Sequence, residues 1–255
     1  MVALGVIVIT TLLCTALAGL AYLKKVLTWD GSLAAFAVGF IIGIFGDILW
    51  LFLLLLFLVT SFAATRYRFE EKRAIGLQEG IQGERRYSNV LANGLAPTFV
   101  AMISFFNGAS LPKPLSGLLF VSAISVAASD TLASELGVLS SKTYCITTFK
   151  RVRPGTNGGV SMLGQGAALL AAIYTTAMAW LFLYFLPPAV GLSITFPSSA
   201  LVLGIPIVVG FLGCQIDSVV GATLETKGLV SKKTNNLLST SLGAAMAYGL
   251  YLLVA

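Results

Sequence analysis

Histidine is absent from this sequence, which excludes every mechanism that uses imidazole as general base, nucleophile or metal ligand. Proton transfer is left to carboxylates, lysine, tyrosine, cysteine or the substrate itself. Charge is also scarce: 10% of the 255 residues are Asp, Glu, Lys or Arg, against 57% hydrophobic residues. That is too little polar surface to enclose a water-soluble globule, and the mean hydropathy of +0.94 places the chain in lipid. Cysteine is limited to Cys14, Cys145 and Cys214, far apart and without a CxxC pair, so neither a disulfide framework nor a structural zinc site is indicated. No Pro/Ser-rich linker or composition shift divides residues 1–255, which read as one integral-membrane domain surrounded by membrane lipids. The basic excess, 16 Lys and Arg over 10 Asp and Glu, fits cytoplasmic loops facing anionic head groups; nucleic acid is not an expected partner.

What is there is a series of long apolar runs. Val2 to Leu23 is long enough to span a hydrocarbon core of about 30 Å and is followed, not preceded, by Lys24 and Lys25, the order expected of a retained helix rather than a cleaved signal. Residues 32–65 are apolar for longer than one span, and Gly46-Asp47 supplies a break, so the pattern predicts two tightly connected helices there. Further spans are expected at Asn89–Phe106, Leu115–Leu136, Val160–Leu186, Ala200–Val220 and Asn235–Val254. The expectation is an all-α polytopic protein of about eight transmembrane helices.

The charges test that count. With eight spans, alternate loops collect fifteen of the sixteen Lys and Arg residues on one face and leave Lys113 alone on the other. The positive-inside rule reads the rich face as cytoplasmic, with both termini outside. The stretch Arg66 to Arg86 carries both signs and reads as a helical extension followed by a loop containing Gly76, Gly80 and Gly83.

Ionisable groups within or beside a span cost at least about 2.5 kcal/mol near its centre, and commonly mark a water-filled site. Asp130 and Glu135 lie in Ala128-Ser-Asp-Thr-Leu-Ala-Ser-Glu-Leu-Gly137 near the end of the fifth span, and Asp217 in Cys214-Gln-Ile-Asp-Ser-Val-Val-Gly221 near the end of the seventh. Both ends reach the positively charged face. On a helix Asp130, Ser134 and Gly137 share one face, and Glu135 is turned off it by about 140°. Helix–helix hydrogen bonding by buried carboxylates is the alternative role for these residues. Asp47, on the opposite face, reads as a turn residue. The segment Lys150-Arg-Val-Arg-Pro-Gly-Thr-Asn-Gly-Gly-Val-Ser161 combines cations with glycines at an expected helix start, which is phosphate-binding chemistry without a Walker or Rossmann pattern. Asn89 and Asn93 open one span; Asn235 and Asn236 open another, Asn235 reading as a cap. Carboxylates and phosphate donors at one face call for a divalent cation between them, and Mg2+ is the expected one.

At these residues the sequence resembles the family containing plant phytyl-phosphate kinase and vertebrate transmembrane protein 19. The blocks are Asp130-Thr-Leu-Ala-Ser-Glu-Leu-Gly137, Ile146-Thr-Thr-Phe-Lys150, Pro154-Gly-Thr-Asn-Gly-Gly-Val-Ser161, Asp217-Ser-Val-Val-Gly-Ala-Thr223, Val90-Leu-Ala-Asn-Gly94 and the Asn235-Asn236 region. In Arg85-Arg-Tyr-Ser-Asn89 the family pattern has an arginine and a glutamine at the outer positions, and Asn89 stands where the glutamine is expected. The Asp-x-x-Ala-Ser-x-x-Gly pattern also looks like that of CTP-dependent polyprenol kinases. The resemblance implies transfer of a phosphoryl group from a nucleoside triphosphate to phytyl phosphate or another isoprenyl monophosphate, as in tocopherol synthesis. Asp130, Asp217 and Lys150 are then the expected catalytic residues, with Asp130, Asp217 and Glu135 on the metal. Ser134, Arg153, Gly155, Thr156, Asn157, Gly158, Gly159, Ser161, Asn93, Asn236 and Arg85 are expected around nucleotide and phosphate. A lipid cytidylyltransferase and a transporter of phosphorylated isoprenoids are the competing readings.

Overall fold

The computed structural model describes residues 2–108, 111–189 and 191–254. Ten helices are found among the described residues: α1 (Leu4–Leu23), α2 (Trp29–Ile41), α3 (Trp50–Arg66), α4 (Phe69–Ala74), α5 (Tyr87–Phe106), α6 (Lys113–Gly137), α7 (Met162–Trp180), α8 (Leu186–Ala189), α9 (Ala200–Val220) and α10 (Lys232–Val254). π-helical turns extend α2 through Gly46, join α7 to α8, and extend α9 through Glu225. Seven of the helical segments are long and apolar enough to cross a membrane, while α3, at 17 residues, is a shorter apolar helix. The expected division of residues 32–65 is present. The π turn ends at Gly46, Asp47 is extended, and its carboxylate accepts from the Leu49 N–H at 2.8 Å. Asp47 is therefore a turn residue, as its position suggested.

One segment departs from the all-helical expectation. Residues 143–160 form a small antiparallel sheet of β1 (Thr143–Cys145), β2 (Arg151–Val152) and β3 (Gly159–Val160), in the order β2-β1-β3. Gly158 and Gly159 lie at the entry to β3, and α7 starts after them at Met162 instead of at Val160. Ser161 is the N-cap, its hydroxyl accepting from Gly164 N–H at 3.2 Å.

Helix α6 is the axis of the bundle. It packs on α3, α5, α7, α9 and α10, and it can be surrounded because it is built from small residues. Gly210 lies against Ser125, while Gly213 and Gly243 lie against Val126. Ser125 and Ser129 send hydroxyls to the carbonyls of Pro206 and Ala168 at 2.8 and 2.9 Å, so these two buried hydroxyls are satisfied by neighbouring helices. Leucines on the outer faces of α1, α7 and α10 remain exposed, as contact with lipid requires.

The positive segments meet at one end of the bundle. Arg85 N–H donates to Val26 and Thr28 N–H to Arg85, each at 3.1 Å. Gly155 sits against Leu77, and Gly158 against Ala222. At the other end Lys113 donates to the Gly46 carbonyl at 2.6 Å. There the chain before α9 turns back into the bundle, burying Thr195 and Phe196 and bringing the Thr195 carbonyl against Gly117.

Candidate functional site

Two carboxylates converge where the basic loops gather. Asp130 is carried by α6 and Asp217 by α9, which pack closely along their lengths. Both side chains line the same space between these helices. Helix α10 holds Asp217 in place: Asn235 Nδ2 donates to its main-chain carbonyl at 2.9 Å, and Ser239 Oγ to its Oδ2 at 3.2 Å. Immediately beyond Asp217 the helix widens into the π turn Gly221–Glu225, a distortion that turns both of those residues toward the same space.

That space is a cavity of about 200 Å³. Its wall includes Asp130, Ser134, Glu135, Asp217, the run Gly155–Ser161, and Gln165. Five carboxylates line it, those of Glu79, Asp130, Glu135, Asp217 and Glu225, against one ammonium, Lys232. Glu135 is already occupied. Its Oε1 accepts from Thr65 Oγ1 at 2.9 Å and its Oε2 from Lys72 Nζ at 2.8 Å, which makes it a charged wall residue. Among the described residues no group of three or more carboxylate, thiol or imidazole side chains is gathered tightly enough to hold a metal ion alone.

The glycine loop forms the opposite wall. Gly155 and Gly158 have positive φ, +79° and +73°, and a Cβ would fall 2.5 Å from Leu77 Cδ2 at the first and 2.3 Å from Ala222 Cβ at the second. Only glycine permits both the turn and the approach. Among the described residues the N–H groups of Asn157 and Gly158 have no hydrogen-bond acceptor, whereas Gly159 N–H is used by Thr156 O at 2.8 Å. Ser161 Oγ donates to the Gly137 carbonyl at 3.2 Å and so fastens the loop to the end of α6.

The remaining expected residues divide. Lys150 and Arg153 are exposed on and beside the sheet and do not line the cavity. Asn93 and Asn236 are buried together between α5 and α10, Asn236 Nδ2 donating to Asn93 Oδ1 at 3.4 Å. Arg85 is buried beside the cavity. Burial draws its guanidinium below the usual value, and the neighbouring charges of Glu135, Glu79 and Asp130 draw it back up. Lys232, Glu79, Glu225 and Gln165 were not singled out from sequence. Lys232 could have been found from its place at the first residue of α10, one turn before Asn235 and Asn236.

The model of the integral membrane protein family DUF92 matches residues 12–250. The chain belongs to that family. It is 32% identical to the uncharacterized membrane protein MJ0933 of Methanocaldococcus jannaschii, over 87% of this chain and 84% of the relative. It is 30% identical to Protein PGR of Arabidopsis thaliana, over 88% and 81% respectively. The chloroplastic Protein VTE6 of the same plant is also 30% identical, over 75% of this chain and 55% of the relative, so the match spans little more than half of that protein. No solved structure matches the chain. The family resemblance carried by the sequence blocks is borne out, as is the all-α, polytopic membrane architecture.

Proposed function

We propose that this protein is a membrane prenyl-phosphate kinase. It transfers the terminal phosphoryl group of a nucleoside triphosphate, CTP or similar, to phytyl phosphate or a related isoprenyl monophosphate, with the site at the cytoplasmic face. The observation that carries this reading is the pairing of Asp130 with Asp217 opposite a glycine loop with free amides, in one cavity at the basic end of the bundle. Family membership alongside VTE6 supports it.

Two adjacent carboxylates repel each other and any triphosphate, and a divalent cation removes both conflicts. The donor set fits magnesium, which is commonly bound by one or two carboxylates with phosphate oxygens and water completing its shell. Asp130 and Asp217 would hold it, and when bound it would neutralise charge on the triphosphate. The amides of Asn157 and Gly158 and the ammonium of Lys232 then bind phosphate oxygens, while Asn235 and Ser239 keep Asp217 aimed. A non-bridging oxygen of the acceptor monophosphate attacks the terminal phosphorus, the bond from that phosphorus to the bridging oxygen breaks, and the nucleoside diphosphate leaves. The acceptor is an anion at neutral pH, so no side chain has to remove a proton, and a site without histidine suffices.

Purified protein in detergent, given phytyl, geranylgeranyl and farnesyl phosphates with each of four triphosphates and magnesium, tests the proposal. Prenyl diphosphate and nucleoside diphosphate are the expected products. Release of inorganic diphosphate with a nucleotide attached to the lipid identifies a cytidylyltransferase instead, and lipid movement across vesicles without bond making identifies a transporter.

A further inference from the structure

A second cavity lies beside the acidic one, in the gap between α1, α2, α3 and α5, with Ile124 of α6 at its back. Its volume is about 110 Å³. The walls supplied by α1, α2 and α3 are Leu, Ala, Val, Phe and Gly with a single cysteine, Cys14. Polarity enters at one end only, from Arg85, Asn89 and Asn93.

That polar end is the partition between the two cavities. Asn89 Nδ2 donates to Glu79 Oε1 at 2.9 Å, and Glu79 lines the acidic cavity. Asn93 is joined to Asn236, whose own Oδ1 is buried without a partner among the described residues. Arg85 is 6% exposed; its Nη2 donates to Thr65 Oγ1 at 3.4 Å, and among the described residues its Nε is buried with no acceptor. A buried guanidinium N–H without a partner is costly, and it marks a place where an anionic acceptor completes the structure. The main chain holds the group there: Arg85 is stitched to Val26 and Thr28, and its carbonyl lies so close to Gly31 that a Cβ would come within 2.5 Å.

An apolar channel that ends at a buried arginine with an unpartnered Nε–H fits a molecule with one hydrocarbon tail and an anionic head. We propose that this cleft is the acceptor-lipid site, seating the tail of a single-chain isoprenyl monophosphate with its phosphate on Arg85, while the acidic cavity receives the triphosphate. The occupant rests on the kinase reading above. The geometry separates the two substrates: the lipid arrives laterally between α1, α2, α3 and α5, the nucleotide enters from water, and their phosphates meet across the Glu79–Asn89 partition.

The test uses a phytyl phosphate bearing a photoactivatable diazirine on its tail, added to the full-length protein in detergent, with the labelled peptides mapped. Label is expected on the cleft faces of α1, α2, α3 or α5. Ala18→Phe, which fills the cleft from the peripheral helix α1, and Arg85→Gln should each raise the half-saturating probe concentration about tenfold or more. Binding of a non-hydrolysable triphosphate should remain, as the check of folding. The corresponding diazirine alcohol, which lacks the phosphate, should label weakly and ignore Arg85→Gln. Label on α7 or α9 with turnover intact overturns the cleft and leaves the kinase reading standing. Cleft label that depends on Arg85, with no transfer from any triphosphate, supports the lipid-phosphate site and overturns the kinase reading. Equal labelling by phosphate and alcohol, or displacement by phosphatidic acid as effective as by phytyl phosphate, reduces the cleft to a groove for bulk lipid and overturns the proposal.

Discussion

Lys72, with no solvent-exposed surface, donates to Glu135 at 2.8 Å and to the carbonyls of Ala64 and Thr65 at 2.7 and 3.2 Å. One side chain thus ties α4 to the end of α3 and to α6. Breaking a buried pair from one side strands a charge, at a cost of about 3–5 kcal/mol, whereas removing both partners costs less. Lys72→Met and Glu135→Gln should each lower the thermal midpoint in detergent by several degrees, and the double variant should recover part of the loss. Additive losses in the double variant would contradict the coupling.

Asp130→Asn and Asp217→Asn keep side-chain shape and lose the charge that would hold a cation. Each should reduce magnesium-dependent transfer by more than about a hundredfold while the detergent melting curve stays close to wild type. Near-normal turnover in either variant would return these residues to a helix-packing role.

Gly158 and Gly228 both have positive φ, at +73° and +71°, but Gly158 faces Ala222 and Gly228 faces open space. Alanine at either position should cost about 1 kcal/mol through backbone strain, and only at Gly158 should it also push the loop off α9. Titration with a non-hydrolysable triphosphate checks this: binding should be lost in Gly158→Ala and retained in Gly228→Ala.

Lys232 lines the acidic cavity and Lys150 does not. Lys232→Ala should raise the apparent Michaelis constant for the triphosphate about tenfold, the effect of losing one charge-assisted contact. Lys150→Ala should change it less than about threefold. Reversed effects would move the phosphate site to the exposed edge of the sheet.

Cys145 is the partly exposed thiol of the three, Cys14 and Cys214 being buried. Hydrogen bonds from Thr147, 3.3 Å away, and from Thr148 draw its thiol down to about 7. Thiolate therefore accumulates as pH rises through that value, and alkylation by an impermeant maleimide should inflect near pH 7. If the basic end is cytoplasmic, inside-out vesicles should label and intact cells should not. Labelling of intact cells would invert the topology.

Much of the architecture was legible because hydropathy and charge are local properties. The break at Gly46-Asp47 and the gathering of the basic loops could be read by counting along the chain. Asp130 and Asp217 could be placed together because two helices running in the same direction end at the same face. The partner of Glu135 could not be read, since Lys72 reaches it only after α4 folds back on α3. Lys150 adjoins the glycine loop in sequence and Lys232 lies some seventy residues beyond it, yet the sheet leaves Lys150 exposed and α10 brings Lys232 to the cavity. The strands of that sheet are two or three residues long, too short for alternation to declare them. The cleft was invisible because a gap between helices leaves no mark on the hydropathy of any one of them.

The stitch between residues 26–28 and Arg85 has a consequence for biosynthesis. The α1–α2 hairpin is translated before α3 and α4, but the strand-like contact that seats it belongs to a segment translated after them. Until that segment emerges, α1 and α2 lack the main-chain hydrogen bonds that Arg85 makes to Val26 and Thr28. Any chain that stops short of Arg85 lacks the anchor for its own beginning.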